Sequence, residues 1–130
     1  MQVILGFREK GIMVSTPTSG HCRYDCIIDV NNQLYKVQIK TARLKDNDSY
    51  EFQTRQSHIT AKGNVHTKYD ANEVDYFASF IAGQVVVVPF NEATGTSKTF
   101  RVEKPSIVKS TMNFIEDYTI EKIFNLTITD

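Results

Sequence analysis

The chain has 130 residues, balances 15 Lys and Arg against 15 Asp and Glu, and is 41% hydrophobic and 23% charged. That length fits one domain, residues 1–130, with enough mass to bury a core, while zero net charge gives no bulk electrostatic sign of a nucleic-acid partner. No stretch approaches the ~20 apolar residues of a membrane span, and Arg8, Glu9 and Lys10 fall where an export signal needs its apolar region or cleavage site, so the chain reads as cytoplasmic with no membrane partner.

From the N-terminus, Met1 to Lys10 reads as a short helix carrying Val3, Ile4, Leu5 and Phe7, with Gly11 as its C-cap. Ile12 to Ser15 reads as a short strand, ended by Pro17 and a Ser19-Gly20 turn. Cys22 and Cys26 follow, beside His21. Four positions apart on a strand they would be roughly 13 Å from each other, too far for one zinc with sulfur ligands at about 2.3 Å. They read as reduced thiols.

Arg23 to Val30 and Gln33 to Lys40 are β-rich runs joined by Asn31-Asn32, two residues that tolerate positive φ, and so form a hairpin. Ser49 to Thr54 alternates and reads as a strand. Gln56 to Lys68 shows no period and reads as a long loop, with basic residues from Arg55 to Lys68 and no acid among them. Val74 to Ile81 and Gln84 to Phe90 form a second hairpin about Ala82-Gly83, with Tyr76, Phe77, Phe80 and Phe90 read as core, and the unbroken Val85 to Val88 run suits a central strand covered on both faces. Asn91 to Ser97 is a turn and Lys98 to Glu103 an edge strand. Ser110 to Asn125 reads as a helix whose stripe is Tyr118, Ile120, Ile123 and Phe124. Helix, mixed sheet and terminal helix make an α+β domain.

The first hairpin carries the candidate chemistry. With Asn31-Asn32 as the turn, Ile28 faces Tyr35 and Asp25 lands opposite Gln38, with Cβ atoms roughly 5 Å apart. Asp25, Gln38 and Lys40 then share one face with Ile27, Asp29 and Lys36. Cys26, Ile28, Val30, Tyr35, Val37 and Ile39 point to the core. A one-residue slip would separate the trio. A carboxylate, an amide oxygen and a lysine on one patch can hold a divalent metal and a scissile phosphate; they equally make a solvated strand face.

Further residues carry a resemblance: Gly11, Val14 and Pro17; Arg23-Tyr24-Asp25; Val37-Gln38-Ile39-Lys40-Thr41-Ala42; Tyr69; Val74-Asp75-Tyr76-Phe77; Val88-Pro89; and Asn113 to Tyr118. In this order they resemble the PD-(D/E)XK nucleases, in the compact branch that includes a group I intron-encoded homing endonuclease and replaces the usual acid before X-K by glutamine. The resemblance implies a restriction-endonuclease-like mixed β-sheet core flanked by helices. It implies metal-dependent hydrolysis of DNA phosphodiesters, with Asp25, Gln38 and the Ile39 carbonyl on Mg²⁺ (Mn²⁺ as the alternative) and with Asp25, Gln38 and Lys40 as the catalytic set. Lys40 would orient or deprotonate the attacking water, or stabilise the phosphorane.

Double-stranded DNA is the implied partner, with Arg43, Lys45, Arg55, Lys62 and Lys68 as candidate phosphate contacts. One site per domain requires two copies to cut both strands, hence a homodimer or homotetramer, with the apolar C-terminal stripe as a candidate interface unless it packs on the sheet. The family's first helix also carries a glutamate, which counting back from Gly11 places at or just before Met1. Either the first helix is truncated or the chain lacks this metal ligand and cleaves weakly or not at all, since Glu9 lies at the wrong end of the helix and Gln2 is uncharged. Site-specific homing-type cleavage, a junction-resolving nuclease and an inactive DNA-binding module of the same fold remain the alternatives.

Overall fold

The computed structural model describes residues 2–20, 22–46, 48–60, 63–69, 71–93, 95–109 and 112–126, with residues 56–60 and 63–68 described through their backbone alone. Helix α1, Gln2–Glu9, buries Val3 and Phe7. It ends at Gly11, whose φ of 79° disfavours any residue with a Cβ. The Gly11 N–H donates to the Arg8 carbonyl and the Ile12 N–H to the Phe7 carbonyl, each at 3.0 Å. These are the two bonds of a Schellman cap, and Ile12 and Phe7 bury in the same cluster behind it.

The strands, in chain order, are β1 Met13–Ser15, β2 Cys26–Val30, β3 Gln33–Ile39, β4 Arg43–Leu44, β5 Ser49–Gln53, β6 Arg55–Thr60, β7 Gly63–Lys68, β8 Tyr76–Ile81, β9 Gln84–Pro89 and β10 Ser97–Arg101. Five of them form a mixed sheet in the order β1-β2-β3-β8-β9, in which only β3 and β8 run parallel. The turns of both predicted hairpins are present, with φ of 53° and 67° at Asn31 and Asn32 and of 50° and 82° at Ala82 and Gly83. Positive φ at both central residues is the backbone of a turn that matches strand twist. The β2–β3 register is the expected one, with Ile28 opposite Tyr35 and Cys26 opposite Val37.

The sheet is apolar on both faces. One face, with Cys26, Ile28, Val37, Ala78, Val85 and Val87, packs against Phe7 of α1 and against Ile120 and Phe124. The other, with Phe77, Ile81, Val86 and Val88, meets Phe52 and Phe100 of a second sheet ordered β10-β5-β4. The core is thus the mixed sheet expected, with helices on one face and a three-stranded sheet on the other. Among the described residues no helix is long and apolar enough to cross a membrane.

Four local expectations need correction. Gln56 to Lys68 is not a loop: β6 and β7 pair antiparallel from Arg55–Lys68 to Thr60–Gly63. Ile59 and Val65 are its only large aliphatic residues, so the sequence has no apolar alternation to betray the strands. Val85–Val88 is covered on both faces but lies at the sheet edge, not its centre. That edge is closed by the C-terminal segment, through Val87 N–H to the Tyr118 carbonyl at 2.8 Å and a bridge between Val86 and Thr119. The C-terminal segment is not one helix. It is a 3-10 turn, Ile115–Asp117, and a four-residue helix α2, Ile120–Ile123, capped by Thr119. Ile115 and Tyr118 serve the core under the second sheet, whereas Ile120 and Phe124 serve the core under α1. A single helix cannot supply both, and burial of Ile120 and Phe124 removes this stripe as a free interface. Finally, Phe80, read as core, is 37% exposed.

Candidate active site

Asp25 stands one residue before the start of β2, where the regular ladder ends. Its N–H donates to the Val37 carbonyl at 2.9 Å. Its carboxylate Oδ2 accepts the Ile39 N–H at 2.8 Å. Regular pairing with Gln38 therefore stops at Cys26–Val37, and the carboxylate is locked onto the main chain between Gln38 and Lys40. The register thus ends one pair short of the expected Asp25–Gln38 opposition, and this hydrogen bond, invisible in the spacing, places the carboxylate instead.

Gln38 lies in the middle of the β3–β8 parallel pairing, opposite Phe77. Lys40 is the first residue beyond β3, and its N–H donates to the Ala78 carbonyl at 2.8 Å. Its Nζ donates to the Arg55 carbonyl and to the Tyr69 hydroxyl, each at 3.1 Å. Burial pushes the Lys40 ammonium below its ordinary value, Asp25 opposes that shift and Arg23 adds to it. The site is thus a lysine with a desolvated charge beside one fixed carboxylate. A groove of about 510 Å³ opens on Asp25 and Ile39, walled by Thr16, Pro17, Ser19 and Cys22 among others.

Two residues of the site were outside the predicted set. Tyr69, 7% exposed, sits immediately after β7. The Arg23 guanidinium lies 4.6 Å from the centre of its ring and reaches Glu73 Oε2 at 3.2 Å. Burial raises the Tyr69 hydroxyl, Arg23 lowers it, and Asp25 and Glu73 raise it. Arg55 was read as a phosphate contact; its main-chain carbonyl also belongs to the lysine's surroundings, and no side-chain pattern can announce a carbonyl.

The remaining candidates scatter. Arg43 and Lys45 both approach Glu51, at 3.7 Å and 3.5 Å. Arg55 is half-buried, and its Nε is buried without a hydrogen-bond partner. Lys62 lies outside the described residues; Lys68 is placed by its backbone, paired with Arg55 at the root of the β6–β7 hairpin. Glu9 lines a separate pocket with Gln84, Val85 and Glu121 at the β9 edge, away from β3 and Asp25.

The donor set has a chemical signature. Asp25 offers a carboxylate, Gln38 an amide oxygen and Ile39 a carbonyl, all hard oxygens. Among the described residues no group of three or more His, Cys, Asp or Glu forms a metal cluster. One carboxylate with neutral oxygens is too poor for a site built wholly of protein ligands, yet it fits Mg²⁺, which keeps several waters and uses one or two carboxylates. Cys26 is no ligand: it is buried, and burial pushes its thiol up to about 11.

By sequence, residues 1–121 match the PD-(D/E)XK endonuclease family. No protein of curated function matches the chain. Among solved structures the fold is similar to that of a bacterial homing endonuclease, I-Ssp6803I, with a TM-score of 0.69, 20% identity, and coverage of 89% of this chain and 80% of that one. At that identity the likeness speaks for the fold, while the family rests on a match over nearly the whole chain. The chain belongs to the PD-(D/E)XK endonuclease family.

Proposed function

We propose that this nuclease is a divalent-metal-dependent endonuclease that hydrolyses phosphodiester bonds of double-stranded DNA, with Mg²⁺ (or Mn²⁺) as cofactor and site-specific cleavage of the homing type. The observation that carries the reading is the Asp25 carboxylate held on the Ile39 N–H at 2.8 Å, one residue from a half-buried Lys40. The homing type follows the fold of I-Ssp6803I, itself a homing endonuclease.

Asp25, Gln38 and the Ile39 carbonyl would hold the metal, which when bound supplies Lewis-acid polarisation of the scissile phosphate. Asp25 arrives pre-oriented, because its second role as acceptor for Ile39 leaves the other carboxylate oxygen to face the ligand. Lys40 places a cation where negative charge develops as the water oxygen bonds to phosphorus and the ester P–O bond breaks. Its lowered proton affinity also suits it to orient that water, the leaving oxygen taking up a proton as it departs. Arg55, half-buried at the start of β6, would be one phosphate contact. Arg43, Lys45, Lys62 and Lys68 would be further phosphate contacts. Each chain carries one such site, so a double-strand break uses two copies, as a homodimer or homotetramer.

Supercoiled plasmid tests the reading. Nicking that requires Mg²⁺ or Mn²⁺ and stops with EDTA is expected, and Lys40→Ala should remove it while DNA binding in Ca²⁺ persists. A wild-type chain that binds duplex DNA yet never nicks it with either metal would instead be a non-cleaving DNA-binding member of the family.

A further inference from the structure

The half-buried ammonium of Lys40 does not project freely toward the groove. It is held from two sides by the roots of one hairpin, since Arg55 opens β6 and Tyr69 follows directly on β7. The Arg55 carbonyl and the Tyr69 hydroxyl each accept from Nζ at 3.1 Å. The Nζ lies 4.8 Å from the centre of the Tyr69 ring, much farther than from the phenolic oxygen, so the lysine addresses the hydroxyl and not the ring face. The hydroxyl is itself fixed. Its ring packs edge-on against Phe77 at 5.6 Å and beneath the Arg23 guanidinium at 4.6 Å, and Arg23 is in turn held by Glu73 at 3.2 Å. Phe77 belongs to β8, the strand paired with β3 where Gln38 and Ile39 sit.

We propose that Tyr69 is a positioning residue for phosphodiester cleavage: its hydroxyl, with the Arg55 carbonyl, sets the place of the Lys40 ammonium, so that the seating of the β6–β7 hairpin determines where the lysine's charge lies. The role rests on the nuclease reading given above, in which Lys40 acts at the phosphate. A basic hairpin that engages DNA would then be attached at both ends to the group that acts on it. The lysine's own chain provides only the Ala78 tether through Lys40 N–H, which fixes the backbone and leaves four side-chain torsions to be set by these two acceptors.

The test is Tyr69→Phe, which keeps the ring and its contacts with Phe77 and Arg23 and deletes one oxygen. Two readouts are taken on the full chain: single-turnover cleavage of plasmid DNA with Mg²⁺ beside DNA affinity in Ca²⁺, and the Lys40 Nζ signal by nitrogen-15 NMR, assigned with Lys40→Arg. The expected result is a cleavage rate lower by about tenfold with affinity unchanged within about twofold, together with a shifted Lys40 Nζ signal whose protons exchange faster. An unchanged Nζ signal overturns the positioning role, whatever the rate does. A shifted signal with an unchanged rate in a cleaving wild type overturns the catalytic consequence, as does a loss of affinity equal to the loss of rate. If the wild type never cleaves but Tyr69→Phe moves the Nζ signal, the nuclease reading falls, and with it the consequence for cleavage, while the geometric assignment stands.

Discussion

Adding one methyl group at Gly6 should destabilise the fold even though it improves the helix. Gly6 lies inside α1, where Gly→Ala normally stabilises by about 1 kcal/mol through backbone entropy. Here a Cβ would come within 2.3 Å of Val85 Cγ2. That is about 1 Å inside ordinary van der Waals contact, and Val85 is only 7% exposed, so neither side can simply yield. Overpacking a filled core costs about 1–3 kcal/mol, and a contact this short argues for the upper end. The net expectation for Gly6→Ala is a loss of about 2 kcal/mol, or about 6–10 °C in Tm for a chain of this size. Urea unfolding followed by circular dichroism gives the number directly, since the chain has no tryptophan to report. Val85→Ala alone should also destabilise, by about 2 kcal/mol, through the cavity it leaves. In the double variant the new methyl enters that cavity, so the combined loss should be smaller than the sum by about 1–2 kcal/mol. Strict additivity, or a Gly6→Ala variant as stable as the parent, would show that α1 does not press on β9 in this way.

Asp25→Asn should abolish metal-dependent nicking by at least about a hundredfold while changing unfolding free energy by less than about 1 kcal/mol, because an amide oxygen can still accept the Ile39 N–H; a loss of more than about 2 kcal/mol in denaturant would make the residue structural instead. Of the two free thiols, Cys22 is exposed and Cys26 is buried with its thiol raised to about 11. An alkylating agent at pH 8 should therefore label Cys22 alone in native protein, and fast labelling of both by peptide mapping would contradict the packing of β2. The Lys10–Glu121 pair, 2.7 Å apart, joins the end of α1 to α2. Its hydrogen bond and charge hold the Glu121 carboxyl below 4.5 and the Lys10 ammonium above 10.5. The stabilisation is therefore complete between those two pH values, fades as acid takes pH down through the lowered carboxyl value, and fades again as base takes it up through the raised amine value. Lys10 is about half exposed, so the effect is small, about 0.2–1 kcal/mol. Lys10→Met should cost that much at pH 7 and progressively less as acid protonates Glu121, and a cost that does not fall with pH would assign the effect to packing.

What was legible in the sequence was what short spacing encodes. Asn31-Asn32 fixes a two-residue turn, the turn fixes a register as far as Cys26–Val37, and that register sorts Cys26, Ile28 and Val37 into the core and leaves Asp25 just beyond the ladder. The Ala82-Gly83 hairpin and the Gly11 cap are equally local. The failures have a different origin. The run from Gln56 to Lys68 has no apolar alternation, so period two leaves no mark on its composition. Residues 115–124 mimic a helical stripe because two neighbouring cores each recruit apolar residues from the same short segment. The Val85–Val88 run reads as central because unbroken apolar runs usually belong to strands flanked on both edges; here two cores cover its faces and the C-terminal segment takes over its outer edge.

The same distinction governs the site. Asp25, Gln38 and Lys40 lie within sixteen consecutive residues, on one hairpin and its immediate ends. The groups that hold Lys40 come from elsewhere: Arg55 is 15 residues away in the chain and Tyr69 is 29. Neither contact is specified by a local pattern. They arise where β3 leaves the mixed sheet and the chain passes into the second sheet, and Phe77 packs there against Phe52 of the second sheet and against Tyr69. A register slip in β2–β3 would therefore break the carboxylate side of the site, whereas a shift of the hairpin root would move only the lysine. The two halves of the candidate chemistry are held by separate parts of the fold, and variants at Tyr69 and at Asp25 should separate them: the first changing rate through the lysine, the second abolishing metal-dependent nicking with the lysine still in place.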